Sequence, residues 1–418
     1  MSHRLLAGLL TLALTAPALA ACGSDEPAGP DETRHLTVWL MRGTATNSLV
    51  IDFEAEFERS HPGLRLDIRL QEWDGITEKV TDALAGNDPP DVIEVGNTQV
   101  ARYVASGGVT DLTDRVDDLG GEDWLPGLAE PGAIDGRQYG IPFYAANRVV
   151  IYRTDLFETA GITPPSTRDE WIAATEELDS DAVQGIYLPG QNWYVLAGFL
   201  WDEGGDIAVR EGNQWRGGLN TPAGLAAVDF YQQLQALGDG PVDSDEAEPP
   251  QAEVFAQGDV AQLIAVPGEA ELITTANSDL EGKLGFFPIP GKTADTPGAV
   301  FTGGSDLIIP AASPLQEGAY EVVQALAGER WQVELASTMN YVPNRASLAG
   351  AVDDDPGAAA MAAGAVNGHA TPNSPNWTAV EADNPIKEFL TQVLTGADPA
   401  GAAAAADAAI TNTLNAPR

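Results

Sequence analysis

Histidine, cysteine and the acidic residues are the side chains of this sequence that could carry acid–base, metal or nucleophilic chemistry. Four histidines occur, and none stands at the spacing of a metal motif: His3, His35, His61 and His369. The sequence contains no H-E-x-x-H, C-x-x-C or D-x-D-x-D-G pattern, and no G-x-S-x-G turn for a serine nucleophile. With 62 aspartates and glutamates, carboxylate pairs suited to glycoside hydrolysis are neither indicated nor excluded. We therefore expect no metal site and no serine nucleophile.

Cys22 is the single cysteine of the sequence, so no disulfide can form within the chain. Basic Arg4 precedes an apolar run, residues 5–20, which is too short to span a hydrocarbon layer of about 30 Å. The run ends in LAAC (19–22), which resembles the bacterial lipobox and implies cleavage before Cys22 and a lipid on its sulfur. We expect a lipoprotein signal peptide at 1–21 and a flexible leash at 22–34. The alternative is an ordinary secretory signal that happens to end in cysteine.

The charge and size of the chain limit its partners and its architecture. Lysine and arginine number 21 against 62 acidic residues, a net charge of −41, which disfavours binding to nucleic acid or to anionic lipid. Hydrophobic residues make up 44% of the 418 residues, enough for globular cores. A chain of this length exceeds what one core usually accommodates, so we expect two lobes.

The first hundred residues after the leash predict alternating strands and helices. Apolar strands are predicted at 35–41, 64–71 and 91–95, and helices with apolar residues at helical spacing at 49–60 and 76–85. This order is typical of a parallel sheet with helices on both faces. Ligands of such sheets bind outside the carboxyl ends of the strands, which here are residues 42–44, 71–74 and 96–99.

The remainder of the chain predicts a second, mixed region and a helical end. Extended segments are predicted at 139–152 and 286–291, each crossing between lobes, and a further buried strand at 307–310. A helix is predicted at 221–237, an acidic proline-rich loop at 239–250, mostly helix from 318 onward, and a terminal helix at 401–409.

Seven segments together resemble a known family. They are LTVWLMRGT (36–44), residues 53–76, NDPPDVIEVGNTQVARYVASGGVTDLTD (87–114), residues 139–162, FTGGSDLIIP (301–310), NYVPNRASL (340–348) and PNWTAVE (375–381). In this order, the sequence resembles the sugar-binding receptors of ABC importers, of the maltodextrin-binding-protein type and nearest to an actinobacterial chitobiose-receptor-like branch. The resemblance spans nearly all of the chain after the leash.

The resemblance implies a two-lobed periplasmic-binding-protein-like α/β fold of type II, with a ligand cleft between lobes joined by crossing hinge strands. Lobe one is expected at 35–143 and 302–348, and lobe two at 144–301 and 349–418. The implied protein is a monomer on the extracellular face of the cell membrane, lipid-anchored through Cys22. Its implied partners are a sugar and the permease subunits of an importer, and the resemblance implies no organic cofactor and no catalytic residue.

The resemblance also directs attention to residues that would hold a sugar, which offers an apolar face and a rim of hydroxyls. The candidate stacking side chains are Trp73, Trp193, Trp201 and Trp377, and Tyr144 on the first crossing is expected to face the cleft. Trp377 is expected to be a platform facing water, with a place in the core as the alternative for each tryptophan. Trp39 and Trp171 are expected to be core residues.

Candidate hydrogen-bonding residues lie at the predicted strand ends and crossings. They are Asn97, Thr98, Asn147 and Ser305, with Gly304 allowing a ligand close to the backbone. Asn97 and Thr98 could instead cap the next helix, and Gly304 could belong to a plain turn. Glu269 stands where members of the family often have Trp-Glu, but Gly268 precedes it. One aromatic platform is therefore missing, and maltodextrin specificity does not follow from the resemblance.

Two other functions stay open on sequence alone. A secreted, lipid-anchored glycoside hydrolase would need two carboxylates at a fixed separation. A sugar-sensing receptor would serve a signalling system instead of a permease. The sequence leaves the sugar open among N-acetylated chitooligosaccharides, maltodextrins or trehalose, and cellodextrins.

Overall fold

The computed structural model describes residues 33–417, and the expected signal peptide and Cys22 lie outside them. The chain begins with β1 (Arg34–Met41), α1 (Asn47–Ser60), β2 (Leu64–Gln71), α2 (Ile76–Ala85) and β3 (Val92–Gly96). Strand β1 lies between β2 and β3 and runs parallel to both. The strand–helix order and the parallel sheet predicted from sequence are confirmed.

Local sequence explains these elements. The Thr46 side chain accepts a hydrogen bond from the Leu49 amide at the start of α1, whose Leu49, Phe53 and Phe57 are buried four residues apart. In β2 the burial of Leu64 and Leu66 alternates with exposed neighbours, as expected for a strand with one face on a core. The hydrophobic pattern and the helix cap therefore agree with the observed α1 and β2.

A six-stranded mixed sheet organises one lobe. The next elements are α3 (Val100–Ala105), α4 (Pro126–Gly132), β4 (Ala133–Ile134), β5 (Arg137–Gln138) and β6 (Ile141–Ala146). Much later strands return to the same sheet: β13 (Gly303–Ile308) lies between β3 and β6 and is antiparallel to both, and β14 (Val342–Pro343) pairs with β6. The full order is β14-β6-β13-β3-β1-β2.

A smaller sheet organises the other lobe. Strand β7 (Val149–Arg153) is its centre, with β10 (Gln262–Ala265) and β11 (Leu284–Phe287) antiparallel on either side. The elements between them are α5 (Thr154–Ala160), α6 (Arg168–Leu178), α7 (Trp193–Asp202), β8 (Ala208–Glu211), β9 (Gln214–Gly217), α8 (Pro222–Gln235), α9 (Gln251–Phe255) and α10 (Glu269–Ala276).

The second crossing lies later in the chain than the sequence predicted. Residues 286–291 were expected to cross between lobes, but β11 pairs only with β7 inside the small sheet. The chain returns through β12 (Val300–Phe301) directly into β13. The error arises because an isolated apolar strand reveals its length but not its partner, which is set by distant residues.

The end of the chain is mainly helical, as predicted. It contains α11 (Gln316–Leu326), α12 (Glu329–Met339), α13 (Pro356–Ala365), β15 (Gly368–His369), α14 (Trp377–Ala382), α15 (Pro385–Leu394) and α16 (Pro399–Leu414). Strand β15 pairs with β12. Among residues 33–417, no helix is both long enough and apolar enough to cross a bilayer.

Each sheet carries its own hydrophobic core. One core packs α1, α11 and α12 on the six-stranded sheet, through side chains such as Phe53, Phe143 and Val323. Another packs α6, α7, α8, α15 and α16 around Trp171, Phe199 and Phe389. Trp171 is fully buried, as expected for a core residue. The fold is therefore two-lobed, while the lobe boundaries drawn from the sequence remain a prediction.

Candidate functional site

The edges of the two sheets face each other across the first crossing. Strand β6 ends at Ala146 and β7 begins at Val149, with only Asn147 and Arg148 between them. Val149 pairs with Ala265, the last residue of β10, so that end of the small sheet points back toward the large one. The carboxyl ends of β1, β2 and β3 lie along the edge of the large sheet where β6 also ends. The candidate cleft lies between these two edges.

A buried glutamate organises the wall contributed by the six-stranded sheet. The Glu94 carboxylate accepts hydrogen bonds from the Met41 amide (2.8 Å), the Thr44 hydroxyl (2.7 Å) and the Tyr144 hydroxyl (3.2 Å). Complete burial raises the pKa of Glu94, and these donors oppose the rise. Sequence reasoning missed Glu94 as a site residue, although a lone glutamate inside the apolar strand DVIEV was a signal.

Tyr144 and Ser305 are brought together on this wall. The Ser305 hydroxyl lies 3.3 Å from the Tyr144 hydroxyl, and both side chains are buried. The ring of Tyr144 stacks on Tyr341, with centroids 4.3 Å apart and planes 13° from parallel. The Tyr341 hydroxyl donates to the Gly43 carbonyl at 2.9 Å. Tyr144 is thus fixed by its neighbours on both its face and its hydroxyl.

Gly304 is required by the close pairing of β13 with β6. Its φ is +145°, and a Cβ there would lie 2.1 Å from the Tyr144 carbonyl oxygen on the neighbouring strand. The lack of a side chain at Gly304 therefore allows β13 to approach β6 closely. A contact between Gly304 and a ligand remains a prediction.

Asn97 ties the end of β3 to the second crossing. Its amide nitrogen donates to the Thr302 carbonyl at 2.8 Å, and its oxygen accepts from the Thr98 amide at 3.0 Å. Asn97 is buried and Thr98 is half-buried. The suggested helix cap is absent, since neither side chain accepts from the first turn of α3. The side-chain amide of Asn97 is already engaged in hydrogen bonds within the fold. Thr98 is therefore the more available of the two residues for contact with a ligand.

Trp73 is the one exposed member of the four candidate tryptophans. Its side chain follows β2 and is 43% exposed. The ring edge lies 3.8 Å from the position that a Cβ of Gly96 would take, at the end of β3. An indole held beside the strand ends with a free surface has the placement expected of a stacking platform.

Trp377 lies in the core, which corrects the expectation of a platform facing water. Its side chain has no exposed surface, and Val380, one turn later on α14, is also buried. The ring centroid lies 6.1 Å from that of Trp193, which is 4% exposed. Because α14 packs against α16 and its Trp377 ring approaches Trp193 of α7, both rings lie inside the hydrophobic core of this lobe. A ligand contact for either residue remains a prediction.

Trp201 and Asn147 are buried as well. The Trp201 ring stacks on His369 with centroids 5.2 Å apart, and its N–H donates to Asp206 at 3.0 Å. Asn147, at the first crossing, is 1% exposed, and its side-chain oxygen receives no hydrogen bond. Trp201 therefore packs on β15, the partner of β12, whereas the side-chain oxygen of Asn147 lies at the first crossing without a hydrogen bond.

A cluster of charged side chains forms the wall contributed by the other lobe; we call it the acidic wall, defined by Arg148, Tyr194, Glu246, Glu269 and Glu381. The Arg148 guanidinium lies over the Tyr194 ring, 4.2 Å from its centroid, and pairs with Glu246. Burial, then the charges of Glu381 and Glu246, raise the pKa of Tyr194, while Arg148 opposes them.

Glu269 and Glu381 complete the acidic wall. Glu269 begins α10; burial and then Glu246 raise the pKa of its carboxyl, and Arg148 opposes the rise. Burial also raises the pKa of Glu381, and the nearby Trp377 indole opposes this rise. Sequence reasoning named only Glu269 here. Arg148 and Tyr194 each adjoin a named residue, and Glu381 closes the PNWTAVE segment, so position offered a signal for all three.

The structure offers little that would bind a metal. Within residues 33–417, no three histidine, cysteine or acidic side chains are placed to hold an ion. What the cleft presents is aromatic surface from Trp73, hydroxyls and amides at the strand ends, and carboxylates on the acidic wall. This combination suits a hydroxyl-rich ligand.

A family model described as bacterial extracellular solute-binding protein matches residues 43–333. The diacetylchitobiose-binding protein of Streptomyces coelicolor is 38% identical over 397 residues, covering 92% of each chain. The mannitol-binding protein of Pseudomonas aeruginosa is 25% identical over 274 residues, covering 63% of this chain and 62% of the relative.

Solved structures show the same fold. The sugar-binding protein of Xanthomonas citri superposes with a TM-score of 0.81 at 22% identity, covering 91% of this chain and 97% of that one. The cyclic α-maltosyl-1,6-maltose-binding protein of Arthrobacter globiformis gives a TM-score of 0.76 at 21% identity, covering 91% and 99%.

Proposed function

The chain belongs to the family of bacterial extracellular solute-binding proteins, and on that premise we propose that it captures a saccharide outside the cell and delivers it to an ABC importer. The single observation that carries the proposal is the 38% identity to a diacetylchitobiose-binding protein along 92% of both chains. Similarity on this scale covers both lobes and the cleft. A disaccharide or short oligosaccharide of the chitobiose kind is the first candidate ligand.

The two walls of the cleft support a saccharide. A sugar ring needs an apolar surface for its C–H face, and the exposed ring of Trp73 supplies one. Its hydroxyls need acceptors, which Thr98 and the carboxylates of the acidic wall offer. Membership of a solute-receptor family argues against the hydrolase alternative, since the carboxylates then bind hydroxyls without cleaving the glycosidic bond.

We place the hinge at the two crossings, 146–149 and 301–303. Because β6 runs to Ala146 in the six-stranded sheet, residues 144–146 move to lobe one, and the other bounds stay as predicted from the sequence, with 302–348 in lobe one and 349–418 in lobe two. A ligand held by Trp73 and Thr98 on one side and by the acidic wall on the other touches both lobes. It therefore favours the closed arrangement over the open one. The importer's permease would recognise the closed form of a monomeric receptor.

The proposal includes a lipid anchor. LAAC (19–22) fits lipidation of Cys22 after removal of residues 1–21, which would hold the protein on the extracellular face of the membrane. One acyl chain gives only marginal binding and two give stable anchoring. The leash at 22–34 would let the lobes reach the permease.

Uptake measurements in the native host test the function as a whole. Deleting the gene should abolish uptake of labelled N,N′-diacetylchitobiose or maltotriose at micromolar concentration, and a plasmid copy should restore it. Unchanged uptake of every saccharide tested, in cells shown to lack the protein, would remove the proposed role in saccharide import.

A further inference from the structure

The acidic wall has more negative charge than the cations beside it can neutralise. Arg148 is paired with Glu246, whereas Glu269 and Glu381 form no ion pair among residues 33–417. Lys387 lies close by but pairs with Asp245 at 2.7 Å, so this pair adds no net charge. The three carboxylates of the acidic wall therefore share one guanidinium, that of Arg148, which is already paired with Glu246.

Two acceptor atoms beside Arg148 are buried without a hydrogen-bond donor. Arg148 binds one oxygen of Glu246, and the other, Oε2, is buried without a donor. The Asn147 side-chain oxygen, beside Arg148 in the chain, is also buried without a donor. A buried acceptor without a partner costs free energy that a ligand bearing N–H groups would recover.

Space for such a ligand group exists next to Glu269. A Cβ on Gly268 would have no atom within 4 Å. The backbone of Gly268 is in the right-handed helical region (φ −58°, ψ −21°), so its conformation does not require glycine. The lack of a side chain there leaves the Glu269 carboxylate open to a ligand from the Gly268 side.

From this charge balance we propose that the acidic wall binds a protonated amine, and that the preferred ligand is a saccharide with a free amino group, such as a disaccharide of glucosamine. The inference rests on the proposed saccharide function and narrows its substrate class. An ammonium carries three donors and one positive charge, which matches carboxylates that lack a cation. Acetylating the amine removes the charge and leaves a single N–H donor.

Calorimetry with two matched disaccharides tests the proposal. The β-1,4 disaccharide of glucosamine should bind the wild-type protein at pH 7 and low salt at least tenfold more tightly than N,N′-diacetylchitobiose. Because charges in an open cleft are screened by salt, this ratio should fall when NaCl is raised from 20 to 500 mM. Neither comparison requires a mutant.

The pH dependence has a definite sign. Burial raises the pKa of the Glu269 and Glu381 carboxyls above the ordinary glutamate value, so both take up protons at a higher pH than an exposed glutamate does as the solution is acidified. Protonation removes the charge that holds the amine. Once the pH is low enough to keep the ligand amine protonated, the tenfold preference should therefore diminish on further acidification, while an uncharged disaccharide provides the reference at each pH.

Glu269→Gln provides the mutational arm, with Glu271→Gln as its matched control. Both residues lie in the first turn of α10, but Glu271 is exposed and outside the acidic wall. The ratio of amine to acetyl affinity should fall at least fivefold in Glu269→Gln and remain at the wild-type value in Glu271→Gln. Circular dichroism verifies that both variants are folded.

Two failures have different meanings. The amine proposal is wrong, and the saccharide function stands, if diacetylchitobiose binds as tightly as the glucosamine disaccharide or more tightly. The same conclusion follows if the ratio of amine to acetyl affinity is unchanged by both added salt and Glu269→Gln. If neither disaccharide nor any other saccharide binds, both proposals fall together.

Discussion

The guanidinium carbon of Arg148 lies 4.2 Å from the ring centroid of Tyr194. A cation held over an aromatic ring at this distance is stabilised by about 0.5–2 kcal/mol, depending on its exposure. Arg148 follows β6 by two residues and precedes β7 directly. The contact therefore attaches the first crossing, where we propose the hinge, to α7 and the acidic wall.

Trp377→Ala should destabilise the ligand-free protein by about 3–5 kcal/mol, because the ring is fully buried and its removal leaves a cavity. Denaturant unfolding without ligand measures the change. Trp73→Ala, which removes a 43% exposed ring, is the matched control and should cost far less. If the free energy of unfolding of Trp377→Ala lies within about 1 kcal/mol of the wild-type value, Trp377 is not a core residue.

Trp73→Ala should instead weaken saccharide binding. Losing a stacking surface of this kind costs about 1–3 kcal/mol, or roughly a tenfold to hundredfold rise in Kd. Calorimetric titration of the wild-type protein and the variant gives the two constants. Unchanged affinity in a folded variant would mean that the exposed indole is not part of the binding surface.

Saturating saccharide should close the cleft. Small-angle scattering should record a smaller radius of gyration, and the melting temperature should rise, since a ligand at 100 times its Kd adds about 2.7 kcal/mol to the folded state. If the melting temperature rises while the scattering curve stays the same, the ligand binds but the lobes do not close.

Cys22→Ala should release the protein from the membrane or leave it as uncleaved precursor, because the sulfur that would carry the lipid is gone. Fractionation of cells followed by mass spectrometry of the amino terminus distinguishes these forms. A mature Cys22→Ala protein retained in the membrane like the wild type would contradict the anchor.

Much of the fold was predictable because its signals are local. Alternation of Leu64, Leu66, Ile68 and Leu70 gave the bounds of β2, and the Gly-Asn-Asp-Pro-Pro segment marked the end of α2. The partner of β11 was not predictable in this way, since its pairing with β7 joins residues more than a hundred positions apart.

The candidate site was less predictable, because a residue type does not reveal which way its side chain points. Trp377 and Val380 are spaced as one buried face of a helix, and that spacing should have outweighed the polar neighbours of Trp377. Glu246 lies in an acidic loop where no single carboxylate stands out. Only the fold shows that it reaches Arg148.

Titration calorimetry of the folded protein against a ligand panel tests the central claim most directly. The panel contains N,N′-diacetylchitobiose, the glucosamine disaccharide, maltotriose, cellobiose and trehalose, with mannitol and glycerophosphocholine as non-saccharide competitors. We expect at least one of these saccharides to bind at a single site with a Kd on the order of 1 μM or lower, about 8 kcal/mol of binding free energy. Binding of mannitol or glycerophosphocholine with no saccharide bound at all would contradict the account.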